Sequence, residues 1–462
     1  MTELDLGQDA GTTDVVPLRE ATGAWFRISL QTFGGPAGQI AVMHRELVDE
    51  RRWFGERRFL HALNYCMLLP GPEAQQLAIY LGWLLNGSVG GLVAGVLFVV
   101  PGFLAILALS LTYARFGDTT AVVALFAGVA PAVLAIVASA LARVAGRALK
   151  SPVHVALAVA SFVAIFAFAV PFPAVVAAAA LVGYVGGRLR PGAFRSGGHG
   201  TEATDAPPPL VADDALHGAT PSWGRAARVL AIGGVAWGLP IALLTVFAPD
   251  TVFVTQALFF SGTAVVTFGG AYAVLAYIAQ RAVNTYHWLL PGEMVRGLAM
   301  AETTPGPLIQ VVQFVGFMGA YRNPGDLNPW VAAIAASVLV TWVTYVPCFI
   351  WIFLGAPHIE ALRHNQRISS SLNGITAAVV GVIANLAIFF AVHTFFSAVD
   401  DDRPYGPLRL PVPAWSSVSP RAIAVAAIAF WLLFRAEWSV LRTLGACALI
   451  GAALELTARA LT

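Results

Sequence analysis

The chain has 462 residues, of which 58% are hydrophobic and 11% are charged, and its formal net charge is +2. A soluble domain carries roughly 25% charged residues, and the mean hydropathy here is +0.74. This composition excludes a globular protein with a water-covered surface and indicates a polytopic membrane protein. The three cysteines form no C-x-x-C pair, so we expect neither a metal cluster nor a disulfide framework.

Apolar stretches recur along the chain at lengths that suit a bilayer, where a spanning helix needs about 20 residues. A polar N-terminal tail over residues 1–21 lacks the apolar core of a cleaved signal peptide. The predicted fold class is therefore all-α, with about thirteen spanning or re-entrant segments. They lie near residues 22–43, 60–85, 90–114, 121–145, 153–170, 173–187, 228–248, 252–279, 290–320, 330–354, 372–396, 421–434 and 439–461.

Three motifs repeat at a single offset of 235 residues, as from 33 to 268. They are FGG at 33–35 and 268–270, tryptophan at 53 and 288, and PGP at 70–72 and 305–307. Pro101 and Pro347 differ by 246, because the second copy carries the polar insert "YRNPGDLNP". We therefore predict two homologous halves. They are a first repeat at 22–190 and a second at 249–462, joined by a polar flexible linker at 191–227 and a lone connecting transmembrane helix at 228–248.

Between the loop after the first FGG motif and the loop after the second lie five ordinary segments, one PGP segment and one FGG segment. If the PGP and FGG segments cross the membrane the same number of times, the total number of crossings is odd. The two halves are then predicted to have inverted topology. The loop at 44–61 carries five arginines against two in its counterpart at 279–296, so we expect the first loop to be cytoplasmic. A re-entrant PGP hairpin also puts Arg143 and Arg147 inside, whereas a single crossing puts them outside. The hairpin is the alternative that we prefer.

The glycines and prolines of the two motifs predict broken helices. A broken helix in lipid exposes unpaired backbone groups at several kcal/mol each, which is tolerable where those groups line a cavity. A helix N-terminus offers free N–H groups and a partial positive charge, so facing breaks are a ready anion site. The alternative is that the glycines only allow close packing or kinks. The predicted anion-binding residues are Gly34, Gly35, Gln39, Arg45, Gly71, Gln76, Gly269, Gly270, Thr303, Thr304 and Gly306, and the helix-breaking prolines are Pro36, Pro70, Pro72, Pro305 and Pro307.

Ionisable residues beside the breaks are candidates for carrying a coupling proton, because such groups are costly at membrane depth and usually functional. Glu73 and Glu302 each flank a PGP motif but are not equivalent under the offset, and His44 is the third candidate. Each carboxylate could instead cap a broken helix or face water at the membrane edge. Arg45 could equally belong to the cytoplasmic charge belt of its loop.

Four stretches, "TFGGPAGQIAVMHRELVDERRWF", "LLPGPEAQQLAIYLGW", "FVVPGF" and "GLAMAETTPGPLIQVVQFVGFMGAY", closely resemble the chromate ion transporter family in its long, two-domain form. The resemblance covers about residues 22–461. The second half departs from it by carrying Ala271 where the first half has Pro36. The resemblance implies a multi-pass protein of the bacterial cytoplasmic (inner) membrane that exports chromate and confers chromate resistance. It further implies dependence on the membrane potential or the proton gradient, with sulfate as a competitor.

These observations together predict a secondary active transporter, an antiporter if protons are exchanged, for a tetrahedral oxyanion. Two alternatives stay open on the same scaffold, a passive anion channel and a transporter of sulfate or another oxyanion. We expect no enzymatic activity, no cofactor and no metal, since no haem, nucleotide-loop or zinc motif occurs. The expected partners are chromate, sulfate as a competitor, protons and the lipid bilayer, without nucleic acid. The oligomeric state is left open, a homodimer being one alternative.

Overall fold

The computed structural model describes residues 15–33, 35–117, 119–189, 209–211, 222–268, 271–356, 366–405 and 408–461. Within these ranges the chain forms sixteen α-helices and one two-stranded antiparallel β-ribbon. Seven helices are long and apolar enough to cross a bilayer, and three shorter apolar helices accompany them. The predicted all-α polytopic class is confirmed.

The helices fall in chain order on both sides of a central helix, α8. The first group is α1 (Leu18–Ser29), α2 (Gly35–His44), α3 (Glu56–Cys66), α4 (Glu73–Phe116), α5 (Thr120–Ala148), α6 (Pro152–Phe168) and α7 (Phe172–Leu189), followed by α8 (Trp223–Phe247). The second group is α9 (Val252–Val266), α10 (Ala271–Gln280), α11 (Glu293–Thr303), α12 (Val311–Arg322), α13 (Pro329–Gly355), α14 (Gln366–Phe395), α15 (Pro420–Phe434) and α16 (Val440–Leu461). The ribbon strands β1 (Val399–Tyr405) and β2 (Leu408–Pro413) lie between α14 and α15.

Helix boundaries correspond between the two groups. Both α2 and α10 end in a π-helical turn, at Arg45–Glu50 and Arg281–Thr285. The start of α5 at 120 corresponds to that of α14 at 366, which is the offset of 246. The starts of α6 and α7 at 152 and 172 correspond to those of α15 and α16 at 420 and 440, since the ribbon adds residues to the second group.

The helix starts follow from local sequence. Ser151, Asn328 and Ser419 each precede a proline at the first helical position, and each side chain accepts a hydrogen bond from a first-turn N–H. Ser222 caps α8 in the same way, so this helix begins five residues before the predicted 228. The β-ribbon is not predicted from the sequence.

Helix α4 folds back on itself at Asn86 and Gly87, as the separate segments predicted at 60–85 and 90–114 require. Both residues leave the helical conformation, and Gly87 has a positive φ of 59°, which favours glycine. A Cβ on Gly82 would overlap Gly90, so the two arms of α4 are in direct backbone contact. The two arms therefore form an antiparallel hairpin.

Contacts bring both broken segments of the first group to one end of the molecule. Arg51, in the loop after α2, pairs with Glu20 of α1 at 3.6 Å. The amide of Asn86, at the turn of α4, donates to the carbonyl of Val16 at 2.6 Å. We call this end, which carries the loop 44–61, the arginine-rich end.

The broken segments of the second group start and finish at the opposite end. Gln256, near the start of α9, donates to the carbonyl of Gly316 in α12, and Arg322 at the end of α12 donates to the carbonyl of Trp288. Tyr113 of α4 reaches Glu293 in this region at 2.9 Å. Tyr113 lies 26 residues from Gly87, about 39 Å along a helix, so the second arm of α4 connects the two ends.

A Gly451→Val substitution should destabilise the protein, because a Cβ there would overlap the backbone of Gly128 where α16 crosses α5. Overpacking at such a contact costs about 1–3 kcal/mol or more. We expect a thermal unfolding midpoint several degrees below that of the parent protein in the same detergent. Gly445→Val is the matched control on the same helix, because its Cβ would meet open space. Equal midpoints for both variants would contradict this packing.

Candidate functional site

The two PGP loops are hydrogen-bonded to the two FGG segments of the opposite half. The N–H of Gly71 donates to the carbonyl of Thr267 at 2.8 Å, and the N–H of Gly306 donates to the carbonyl of Thr32 at 3.0 Å. Both glycines and both threonines are related by the offset of 235. The same bond is therefore made twice with the halves exchanged. We call these four residues the central junction.

The glycines of the central junction cannot be replaced without strain. Gly71 and Gly306 have φ values of +123° and +98°, which side chains rarely adopt. A Cβ on Gly71 would lie 2.9 Å from the sulfur of Cys348, and one on Gly306 would lie 3.3 Å from the Cα of Gly102. Gly102 and Cys348 are equivalent under the offset of 246 and follow the prolines of α4 and α13. Each long helix thus packs its centre on the PGP loop of the other half.

Two helix N-termini begin directly at the PGP loops. Helix α4 begins at Glu73, after Pro72, and the 3-10 turn Leu308–Gln310 that leads into α12 begins after Pro307. Neither proline provides a side-chain cap for the helix that follows it. The N-terminus of α4 carries the carboxylate of Glu73 in its first turn, whereas the turn after Pro307 has no acidic residue to offset its partial positive charge.

Buried glutamines surround the junction. Gln39 donates to the carbonyl of Gly306 at 2.6 Å, and Gln76 donates to that of Pro70 at 2.7 Å. Gln75 and Gln310 occupy equivalent positions after the two PGP loops, and both are buried. The buried polar atoms here that have no hydrogen-bond partner are Oε1 of Gln39, Oε1 and Nε2 of Gln75, Oε1 of Gln76, Oε1 of Gln310 and Oε2 of Glu302. Such atoms are costly unless a ligand or water satisfies them.

Glu302 is the fully buried carboxyl group of this region. Its Oε1 accepts a short hydrogen bond from the hydroxyl of Tyr272. That hydroxyl lies 3.6 Å from the point that a Cβ of Gly35 would occupy, so the pair reaches the first FGG segment. The equivalent positions in the first half are Ala37 and Met67, so only the second half has this pair.

The other two proton-coupling candidates have different surroundings. Glu73 is half-buried at the first position of α4, where its charge complements the helix N-terminus. His44 contacts Glu56 and lies 3.3 Å from Asp49, in a cluster of charged side chains at the arginine-rich end. His44 is therefore not brought into the junction.

Arg45 belongs to the same end, with its side chain half exposed. Its guanidinium donates to the side chain of Gln31 at 2.6 Å and pairs with Glu50 at 3.4 Å. Since Gln31 precedes Thr32, this places Arg45 beside the first FGG segment rather than among the glutamines.

The remaining predicted residues are distributed as follows. The hydroxyls of Thr303 and Thr304 donate to carbonyls of their own helix, so they end α11 and do not direct a donor at the junction. Gly35 begins α2 with a φ of +73° and Pro36 follows it, as a helix break there requires. Pro305 contacts Gly102 through its carbonyl. Gly34, Gly269 and Gly270 lie outside the described residues.

Several residues of the site were not among the predicted binding residues. Thr32 and Thr267 precede Phe-Gly-Gly in both copies, so the repeat contained the signal for them. Tyr272 had no such signal, because Ala37 replaces it in the first half. Within the described ranges, no three His, Cys, Asp or Glu side chains come together as a metal site.

Comparison with known proteins identifies the family. The model of the chromate transporter family matches residues 20–184 and 254–452. A chromate transport protein of Pseudomonas aeruginosa is 30% identical over 395 residues, which are 83% of this chain and 84% of that protein. One of Cupriavidus metallidurans is 28% identical over 83% of this chain and 85% of its own length, and a probable one of Synechococcus elongatus is 28% identical over 80% and 84%. No solved structure matches the chain significantly. The chain therefore belongs to the chromate transporter family.

Proposed function

We propose that this protein is a secondary active transporter that exports chromate across the cytoplasmic membrane of a bacterium. The observation that carries the proposal is the central junction, where two helix breaks from opposite halves meet among buried glutamines whose side-chain oxygens have no hydrogen-bond partner, those of Gln39, Gln75, Gln76 and Gln310. Family membership and the names of the relatives support chromate as the substrate. Helix N-termini and amide groups suit an oxyanion of tetrahedral shape.

Alternating access follows if the two halves have inverted topology. Two sets of contacts support this inversion, since the first-half breaks return to the arginine-rich end and the second-half breaks return to the opposite end. In transporters built from inverted repeats, the substrate site lies near the midplane, where broken helices meet. Opening the junction from one end or from the other would then expose one site to either side.

Substrate binding must exchange hydrogen bonds at the junction. The N–H groups of Gly71 and Gly306 are bonded to threonine carbonyls in this conformation. An oxyanion that approaches these N–H groups would replace the carbonyls as acceptor, and the glutamine amides can turn to present their N–H2 groups. Sulfate has the same shape and charge, so backbone donors would distinguish it poorly from chromate.

Two driving forces are compatible with export. Moving a dianion outward along an inside-negative potential releases about 4.6 kcal/mol per 100 mV, because each charge contributes about 2.3 kcal/mol. If a proton moves inward in exchange, the free energy of the proton gradient would add to this driving force. We assign that proton to Glu302, which is fully buried and bonded to Tyr272, with Glu73 as the second candidate.

The experiment that tests this function uses everted membrane vesicles and labelled chromate. The vesicles are preloaded with unlabelled chromate. If the protein is a carrier, labelled chromate inside the vesicles should rise transiently above its equilibrium concentration, which a channel cannot produce. Uptake should respond to the membrane potential, with excess sulfate as a competitor. Uptake that only equilibrates would favour a channel, and sulfate uptake without chromate uptake would overturn the substrate.

Replacing a junction glycine should abolish this exchange. Gly71→Val and Gly306→Val force a side chain onto a positive φ and into the opposing half, so we expect a loss of at least about tenfold in counterflow rate, the equivalent of roughly 1.4 kcal/mol or more. Gly262→Val is the matched control, because its Cβ meets open space. All variants should be present in the membrane at parent levels. Full transport by both junction variants would contradict the assignment of the anion-binding site to the central junction.

Neutralising Glu302 should separate exchange from proton coupling. With the membrane potential clamped at zero by valinomycin and potassium, an imposed pH gradient should drive accumulation by the parent protein. Glu302→Gln should lose this accumulation and retain counterflow, because the amide keeps the hydrogen bond to Tyr272 but carries no exchangeable charge. Unchanged pH-driven accumulation of chromate by Glu302→Gln would show that Glu302 does not carry the coupling proton. If only Glu73→Gln loses this accumulation, Glu73 carries the proton instead.

A further inference from the structure

A cavity of about 920 Å³ opens at the end opposite the arginine-rich end. It lies between the starts of α5, α11 and α15 and the ends of α14 and α16. Its charged and titratable lining residues are Arg296, His393, Arg421 and Glu455. The proposed function does not use any of them.

The lining carries an excess of positive charge. Arg421 pairs with Glu455 at 3.2 Å, and Glu455 is the single carboxylate among the described residues of the lining. Arg296 donates to the hydroxyl of Tyr113 at 2.7 Å and lies over the rings of Tyr113 and Phe126. Among the residues that the structure describes, Arg296 pairs with no carboxylate. Its guanidinium is therefore a fixed cation, half-buried at the wall of the cavity.

The wall that carries Arg296 is held in place by a network of hydrogen bonds. The hydroxyl of Tyr113 donates to Glu293 at 2.9 Å, and Glu293 accepts two bonds from Arg322 at 2.7 and 2.8 Å. The charge of Glu293 is thus matched by Arg322 and not by Arg296. Both α11 and α15 also begin at this cavity, but Glu293 in the first turn of α11 and the capping Ser419 of α15 already offset these helix N-termini, so the positive charge of the wall is that of Arg296.

Helix α11 connects the cavity to the central junction. Arg296 is six residues before Glu302, a separation of about 9 Å along the helix axis. The cavity is far larger than one oxyanion, so an anion there keeps part of its water shell. These features match a vestibule in which a hydrated anion waits beside the deeper site.

We propose that this cavity is a second oxyanion site, in which the guanidinium of Arg296 holds a tetrahedral dianion such as sulfate or chromate. Arg421 provides a second cation when the anion competes with Glu455 for it. The assignment of the cavity to the exit side of a transport path rests on the proposed function. The proposed preference of the cavity for anions is independent of that function.

The test measures the electrostatic potential of the cavity without transport. Ser397→Cys places a thiol on its exposed lining, and the native Cys66, Cys348 and Cys447 are all buried. The purified protein in detergent is labelled with a negatively charged and a positively charged methanethiosulfonate of similar size. We expect the anionic reagent to react several-fold faster after correction for its rate with a free thiol, and sulfate to slow it.

Adding Arg296→Gln should bring the two corrected rates together and abolish the effect of sulfate, whereas Arg296→Lys should keep most of the preference. Arg435→Gln is the matched control, an exposed arginine at the other end of α15 that does not line the cavity. Equal rates in the Ser397→Cys protein, an unreactive thiol, or a preference that survives Arg296→Gln would each overturn the proposal. An Arg296-dependent preference in a protein that moves no chromate would retain this site and reject the proposed function.

Discussion

The need to satisfy backbone groups at a helix break inside a membrane is the constraint on which this structure depends. No water is available there, so a PGP loop needs a protein partner for its N–H and carbonyl groups. Each half provides that partner for the other, through the paired bonds from Gly71 to Thr267 and from Gly306 to Thr32. The long helices α4 and α13 reinforce the arrangement, because each crosses the opposite loop where Gly102 or Cys348 leaves room for close contact.

The backbone of the junction is repeated, but its side chains are not. The first half contributes the amides of Gln39 and Gln76, whose equivalents in the second half are Val274 and Val311. The second half contributes the bonded pair Tyr272 and Glu302, which the first half lacks. A symmetric frame therefore carries an asymmetric set of polar groups, with Gln39 and Gln76 found only in the first half and the Tyr272–Glu302 pair only in the second. This division is what allows the proposed anion and proton roles to be assigned to different residues and tested apart.

Much of the fold could be predicted because its signals are local or periodic. Apolar length predicted the spanning helices, and the shared offset located the breaks at FGG and PGP. The hydrogen-bond partners of those breaks were harder to predict, because Thr32 and Thr267 accept bonds from the PGP glycines only when the opposite halves come together. Tyr272 could not be predicted, because a tyrosine in an apolar helix has many possible neighbours and no repeat supported it. Arg45 and His44 were assigned by proximity in sequence to FGG, yet His44 contacts Asp49 and Glu56. Arg45 reaches Gln31 beside the first FGG segment but also pairs with Glu50.

The central claim, that the junction is where the oxyanion binds, is tested most directly by locating the anion. Crystals of the full chain grown with chromate would be measured at the absorption edge of chromium, so that anomalous scattering marks its position. The account predicts an anomalous peak between the two PGP loops, within hydrogen-bond distance of the N–H groups of Gly71 and Gly306, with their bonds to Thr267 and Thr32 broken or lengthened. An ordered chromium peak in the cavity beside Arg296 or elsewhere, with no peak between the PGP loops and both threonine bonds intact, would contradict it.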